Sequence, residues 1–342
     1  MMGCSAFEVK DMEITIGFGN TDIPKTERAN KGESYIAFPT DYCVVDTETT
    51  GLSPALDNII EIGAVKYSNG VEVDRFQSLV QPPAYSDGTF VDDFIAELTG
   101  ITNEMLAEAP KTSEAVRAFS KFLGDSIIVG YNVSFDVNFL YDNFMEHLGK
   151  PLTNDYIDAM RMARKLYPEM KHHRLRDMVE LYGITNKHEH RALADCVATA
   201  QCFGKLHEEA LNQYETEESF VKTYSHHGGG GGHSVKAADI QGDESKINTD
   251  SPLYNQYCVF TGKLEKFTRK EAMQIVADLG GINEDGVTKN TNFLILGNND
   301  YCATIKDGKS NKQKKAEKNK LNGQDIEIVP ETVFYDMLGE EI

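Results

Sequence analysis

The stretch "VVDTETTG", residues 44–51, sets two acids one residue apart at the end of an apolar run. In an extended strand, residues two apart point to the same side. Asp46 and Glu48 therefore face one place and repel each other there. An acidic loop after a strand is one reading. The other is a divalent cation held by hard carboxylate oxygens. That second reading needs more acids from elsewhere in the chain.

Two further segments supply them. "SIIVGYN", 126–132, has the character of a short apolar strand, and "FDVNFLYDNFMEHLG" repeats apolar residues at helical spacing up to Gly149. Asp136 thus falls just past a strand end, where open α/β sheets place their sites. Taken alone it is an ordinary first-turn acid favoured by the helix dipole. "HRALADC", 190–196, puts Asp195 near the start of a helix, among Ala192, Leu193, Ala194 and Val197. Taken alone it is a solvent-facing residue. Four carboxylates converging in one cleft would be unstable without cations. Two divalent ions would relieve the repulsion and would also promote phosphoryl transfer from both sides of the phosphorus.

His190 precedes Asp195 by five residues, about 500° around a helix, so the two do not share a face. His190 is expected in the loop or first turn before the helix, able to swing toward the site. Imidazoles titrate near neutrality and suit proton removal from a water. His188 shares the run "KHEHR" and is the alternative base, while a surface histidine is the bland reading.

The 342 residues suffice for about two domains, and 40% hydrophobic with 26% charged residues is a globular composition. There is no apolar run of about 18 residues, so no membrane span is expected. The N-terminal "MMGCSAFEVKDMEITIGF" lacks the pattern of a secretory signal. Cys4, Cys43, Cys196, Cys202, Cys258 and Cys302 are scattered, as reduced thiols of a cytoplasmic protein would be. A net charge of −20 argues against a nucleic-acid partner only if charge is spread evenly. It is not, because "KSNKQKKAEKNK", 309–320, holds six lysines and one acid. Metal ions would also contribute their own positive charge.

Composition shifts near residue 225. "SHHGGGGGHS", 225–234, has five consecutive glycines and reads as a flexible linker, with His226, His227 and His233 incidental to it. "KAADIQGDESKINTDS" after it is polar and expected to be poorly ordered. Before it, "NIIEIGAVKYSNGVEVDRFQSLVQP" reads as two strands joined at "SNG". A hairpin followed by strand–helix alternation implies a mixed sheet flanked by helices. After the linker, βα alternation with three strands over about 90 residues implies a second small α/β domain. The expected divisions are 1–39, an extension of unknown role with one candidate strand "MEITIGF"; 40–215; a linker 216–250; and 251–342.

"VVDTETTGL", "GYNVSFDVNFL" and "HRALADC" resemble, in order, the three motifs of the DEDDh branch of the DEDD exonuclease superfamily, the group of the proofreading epsilon subunit of bacterial DNA polymerase III. "ELTGITNEMLAEAP", 97–110, also resembles that group, and the likeness covers roughly residues 40–210. The resemblance implies an α/β fold with a ribonuclease H-like mixed sheet, two Mg2+ or Mn2+ ions, and 3′→5′ release of nucleoside 5′-monophosphates. It implies that Asp46, Glu48 and Asp195 ligate the ion holding the attacking water and that Asp46 bridges to a second ion. It further implies that Asp136 holds a metal directly or through water, and that His190 is the general base. Thr49 and Gly51 would let the backbone approach the terminal nucleotide, and Leu52 would wedge against the last base. Asn132 and Phe135 would line the strand's path, with a core role for Phe135 as the alternative. Tyr131 departs from the His of many relatives.

Residues 253–340 resemble a BRCT domain with a short parallel sheet, most like that of bacterial NAD-dependent DNA ligases. Gly280 and Gly281 fit the turn after its first helix, and Phe334 replaces a frequent Trp. In phosphate-binding members a Ser or Thr and a Gly end the first strand and a Lys opens the second helix, positions matched here by Thr261, Gly262 and Lys312. The expected function is a DNA exonuclease in replication proofreading or repair. Its partners would be DNA with a free 3′ end and a polymerase or repair protein. An exoribonuclease of the same superfamily and a non-catalytic scaffold are the alternatives.

Overall fold

The computed structural model describes residues 28–186, 189–225, 235–297 and 309–338. The candidate strand "MEITIGF", the glycine run with His226, His227 and His233, and His188 lie outside them.

The strand that opens the site is β1 (Tyr42–Thr49). It pairs antiparallel with β2 (Ile59–Ser68), which turns through Asn69 and Gly70 into β3 (Val71–Leu79). Both turn residues have positive φ, 51° and 74°, as a two-residue hairpin turn requires. Three helices, α1 (Asp93–Thr99), α2 (Asn103–Ala107) and α3 (Thr112–Leu123), lead to β4 (Ile128–Gly130). Helix α4 (Ser134–Leu148) then returns the chain to β5 (Tyr156–Asp158). The sheet order is β3-β2-β1-β4-β5, with β4 and β5 parallel to β1. Helices α5 (Ala159–Leu166), α6 (Leu175–Leu181), α7 (Ala192–Tyr214) and α8 (Glu217–Ser225) follow.

Alternation along β1 divides the core. Val44 faces the layer that holds α5, α6 and α7, whereas Cys43 and Val45 face α3 and α4. All three are essentially fully buried, as expected for a central strand covered on both sides.

The second unit alternates β6 (Tyr257–Thr261), α9 (Arg269–Asp278), β7 (Ile282–Glu284), β8 (Phe293–Leu296), α10 (Asn311–Leu321), β9 (Glu327–Pro330) and α11 (Glu331–Met337). Its sheet is wholly parallel, in the order β7-β6-β8-β9. It has four strands rather than the three expected from sequence. The extra one, β7, is three residues long and partly exposed, so it carries no apolar signature.

Three segments differ from their sequence reading. Residues 28–39, placed in the extension, pack on the first domain: Ile36 and Phe38 join its core and Ser34 bridges to Tyr156. Residues 217–225, placed in the linker, form α8, whose Phe220 is completely buried in the same core. The polar segment after residue 235 is seated on the second domain. Ile240 packs on its core, and the backbone N–H of Ala237 and Asp243 donate to Asp285 and Asp278, both at 2.8–2.9 Å. A few apolar contacts and backbone hydrogen bonds order a stretch whose composition alone predicts disorder.

Candidate active site

Asp46 and Glu48 project from β1 toward α7, which carries Asp195 in its first turn. One carboxylate oxygen from each lies within 4.8 Å of the others. All three carboxyls are pushed above their ordinary range, first by burial and then, for Asp46 and Glu48, by the neighbouring acids. Glu48 rises to about 8. Such a donor set carries an excess of negative charge and only hard oxygen atoms, which fits a divalent cation of the Mg2+, Mn2+ or Ca2+ type.

Asp136 is not a member of this triad. Its Oδ1 accepts the backbone N–H of Thr47 at 2.9 Å and the Thr47 hydroxyl at 2.7 Å. Thr47 sits between the two strand acids and points to the opposite face of β1. Burial pushes Asp136 up to about 7, against the pull of the two Thr47 hydrogen bonds.

A close approach of α7 to β2 brings Asp195 into the site. Gly63 stands opposite Asp46 in the β1–β2 ladder. A Cβ there would lie 2.3 Å from the Ala192 carbonyl carbon and 2.4 Å from the Leu193 nitrogen. Beside it, Glu61 is completely buried and accepts from Arg191 Nη2 at 2.8 Å, Arg191 Nε at 3.1 Å and Ala192 N–H at 3.0 Å. Ala192 is the first residue of α7, so this buried carboxylate caps the helix that delivers Asp195. Asp195 is fixed in turn by the Asn186 amide at 2.7 Å and the His190 N–H at 3.0 Å. His190 lies in the turn before α7 with φ 59° and an exposed side chain, free of the helix face that carries Asp195.

Glu61, Gly63, Asn186 and Thr47 were not singled out from sequence. A lone acid and a glycine inside the apolar run "IIEIGAV" were the available signal.

The residues assigned to nucleotide binding fall into two groups. Leu52, Asn132 and Phe135 line one cleft, with Leu52 42% exposed. Asn132 holds φ 60° and donates its N–H to Asp158 at 2.9 Å. Phe135 is half-buried, its ring 4.9 Å from that of Phe139, so it has both a core contact and a face on the cleft. The Thr49 hydroxyl donates to the Gly51 carbonyl at 2.6 Å. Gly51 has a local packing role as well, since a Cβ there would lie 2.6 Å from the Asp57 carboxylate. Tyr131 is buried and donates its hydroxyl to the His173 carbonyl at 2.7 Å.

In the second domain, Thr261, Gly262 and Lys312 gather at the C-terminal end of β6. The Thr261 and Ser310 hydroxyls are 2.7 Å apart, and Ser310 caps α10. Lys312 Nζ and Arg269 Nη1 both donate to the Phe260 carbonyl, at 2.9 and 2.6 Å, and Arg269 Nη2 donates to Gly262 O at 2.9 Å. Burial and the Arg269 charge lower the Lys312 amine. The lysines of 309–320 are therefore not a uniformly solvated face: Lys309 is buried against Glu317 at 3.1 Å.

Acids on the central strand of a mixed sheet, completed by an acid from the covering helix, make the metal-ready carboxylate cleft of a phosphodiester-cleaving enzyme class. The comparisons specify the family. The exonuclease family model RNase_T matches residues 43–203, and the BRCT (BRCA1 C Terminus) model matches residues 249–336. Over 173 residues the chain is 34% identical to the DNA polymerase III subunit epsilon of Aquifex aeolicus, spanning 51% of this chain and 83% of that one. It is 38% identical over 182 residues to the PolC-type DNA polymerase III of Bacillus subtilis, and spans only 12% of that protein's length. Among solved structures, an exonuclease I is similar at a TM-score of 0.45 and 20% identity, over 55% of this chain and 44% of the other. The chain belongs to the exonuclease family of the DNA polymerase III epsilon subunits, and it carries a BRCT domain in addition. Among the described residues no helix is long and apolar enough to cross a membrane.

Proposed function

We propose that the chain hydrolyses DNA from the 3′ end to nucleoside 5′-monophosphates, using two Mg2+ or Mn2+ ions. The carrying observation is the triad of Asp46, Glu48 and Asp195, whose donor atoms lie within 4.8 Å of one another. The ions, when bound, supply Lewis acidity and charge neutralisation at the phosphorus. Asp46, Glu48 and Asp195 would hold them, and Asp136 would support the strand through Thr47 or help to hold an ion. His190 removes the proton from the attacking water. Leu52, Asn132 and Phe135 seat the terminal nucleotides, Phe135 by stacking. Thr49 and Gly51 shape the backbone beside the terminal sugar. Thr261, Gly262 and Lys312 form a phosphate site on the BRCT domain. The nuclease domain is taken as 40–215 together with the packed segments 28–39 and 217–225, and the BRCT unit as 251–342. The protein works in the cytoplasm beside a polymerase or repair partner.

The test is digestion of single-stranded DNA, 3′-recessed DNA and RNA of one sequence, labelled at the 5′ end, with Mg2+, Mn2+ or EDTA. Laddering from the 3′ end that EDTA abolishes is expected, and hydrolysis in EDTA would refute the mechanism. Preference for RNA would move the substrate class to the exoribonucleases. His190→Ala is expected to lower turnover by about 10²–10⁴ with metal affinity nearly unchanged. Loss of turnover in His188→Ala but not in His190→Ala would reassign the base.

A further inference from the structure

The stretch 159–176 carries six Lys or Arg and one Glu, in a chain of net charge −20. It includes α5 and the start of α6, and it leaves β5 directly after Asp158, whose Oδ1 holds the Asn132 N–H of the nucleotide cleft. Arg164 lines that same cleft together with Leu52, Asn132 and Phe135. This is a concentrated positive face beside the site.

In the structure the face is covered by carboxylates of the BRCT domain. Arg164 Nη1 lies 2.6 Å from Glu265 Oε2 and 2.8 Å from Glu331 Oε1. Arg161 is 3.9 Å from Glu265, and Arg174 is 3.0 Å from Asp336. Lys266 of the BRCT domain donates to the Lys171 carbonyl. Glu265, in the loop after β6, and Glu331, the first residue of α11, converge on one guanidinium. Their burial is costly: Glu331 is pushed up to about 7 by desolvation despite Arg164, and Glu265 Oε1 has no hydrogen-bond partner. Guanidinium takes carboxylate and phosphate oxygens by the same geometry, so phosphates are direct competitors for these positions.

We propose that the arginine face formed by Arg161, Arg164 and Arg174 is a track for the backbone phosphates of the DNA strand bound in the active site, and that Glu265, Glu331 and Asp336 of the BRCT domain occupy it until a strand displaces them. The inference rests on the exonuclease reading and adds to it a second contact region and an internal competitor. Docking of the BRCT domain and seating of the strand exclude each other on this face. Strand binding also releases counterions, which adds to the drive for displacement at low salt.

The test uses the full chain and a 5′-fluorescein single-stranded oligonucleotide, with binding read by anisotropy in EDTA and hydrolysis read separately in Mg2+. The double variant Glu265→Gln, Glu331→Gln is expected to bind about tenfold tighter than the wild type. Asp336→Lys, at a partly exposed position, is expected to tighten binding in the same direction without disturbing a buried group. Arg164→Ala added to the double variant is expected to remove the gain. Hydrogen exchange at 263–267 and 331–336 is expected to quicken when the oligonucleotide is added to the wild type. Unchanged or weaker binding by both the double variant and Asp336→Lys overturns the proposal, whether or not the proteins hydrolyse DNA. Loss of hydrolysis in the wild type, with these binding shifts intact, would instead refute the exonuclease reading and leave the arginine face standing as a DNA contact.

Discussion

Asp46→Asn is expected to abolish hydrolysis, by on the order of 10³-fold or more, and at the same time to raise the melting temperature of the metal-free protein. The first effect follows from removing one of the three clustered metal-ligand candidates. The second follows from the mutual repulsion of the clustered acids. Asp46, Glu48 and Asp195 are held close together, and burial favours the protonated form of each. Glu48 is raised from 4.5 to about 8 and Asp136 from 3.8 to about 7. The folded protein therefore keeps protons that the unfolded chain has already released. Stability from this source is present below about pH 4 and declines as pH rises through the interval up to about 8. In EDTA the wild type should thus melt progressively lower from pH 5 to pH 8. Asp46→Asn should flatten that slope, with a gain of roughly 2–4 °C for each kcal/mol of relieved repulsion in a domain of this size. Mn2+ binds the ionised form, so its stabilising effect on the wild type should grow over the same interval and be largely lost in the variant. A variant that melts below the wild type at pH 8 in EDTA would contradict the picture.

Gly63→Val is expected to remove activity without touching an acid. Any Cβ at this position falls 2.3–2.4 Å from the backbone of Ala192 and Leu193, far inside contact distance. Backbone at both places is already committed, because Gly63 is in the β1–β2 ladder and Ala192 N–H is bonded to Glu61. The helix must therefore shift outward, and Asp195 three residues on shifts with it. A displacement of about 1 Å in a reacting constellation can cost about 10² in rate. The strain itself should lower stability by about 1–3 kcal/mol. Melting curves with and without Mn2+ separate the two effects: the variant should remain folded at 25 °C but gain less from the metal than the wild type does. Full activity in a folded Gly63→Val protein would show that α7 tolerates the shift.

Much of this architecture is legible in the chain because its main elements have clear periods. β1 is an unbroken apolar run that ends in alternating acids, α4 ends at a glycine, and "SNG" marks the hairpin. The site is legible in part for the same reason, since alternation alone puts Asp46 and Glu48 on one face. What the sequence hides is pairing across distance. Nothing local indicates that Asp136 bonds Thr47, 89 residues away, rather than joining the triad. Glu61 sits in a strand whose apolar neighbours dominate its reading, and its role appears only once Arg191 and Ala192 are beside it. β7 is too short to show a period. The seating of the BRCT domain depends on charge matching between Arg164 and two acids at least 101 residues away, which no window of sequence contains.

The bond between Thr47 and Asp136 makes α4 a lever. Its first turn carries Phe135, which lines the cleft with Leu52 and Asn132, and Asp136, which grips the one residue separating Asp46 from Glu48. The two ends of this short path are neighbours in sequence and belong to one rigid helical turn. A displacement of Phe135 is therefore passed on mechanically to the spacing of the two acids. The geometry of the metal-ready acids thus hangs on a single peptide unit, that of Thr47.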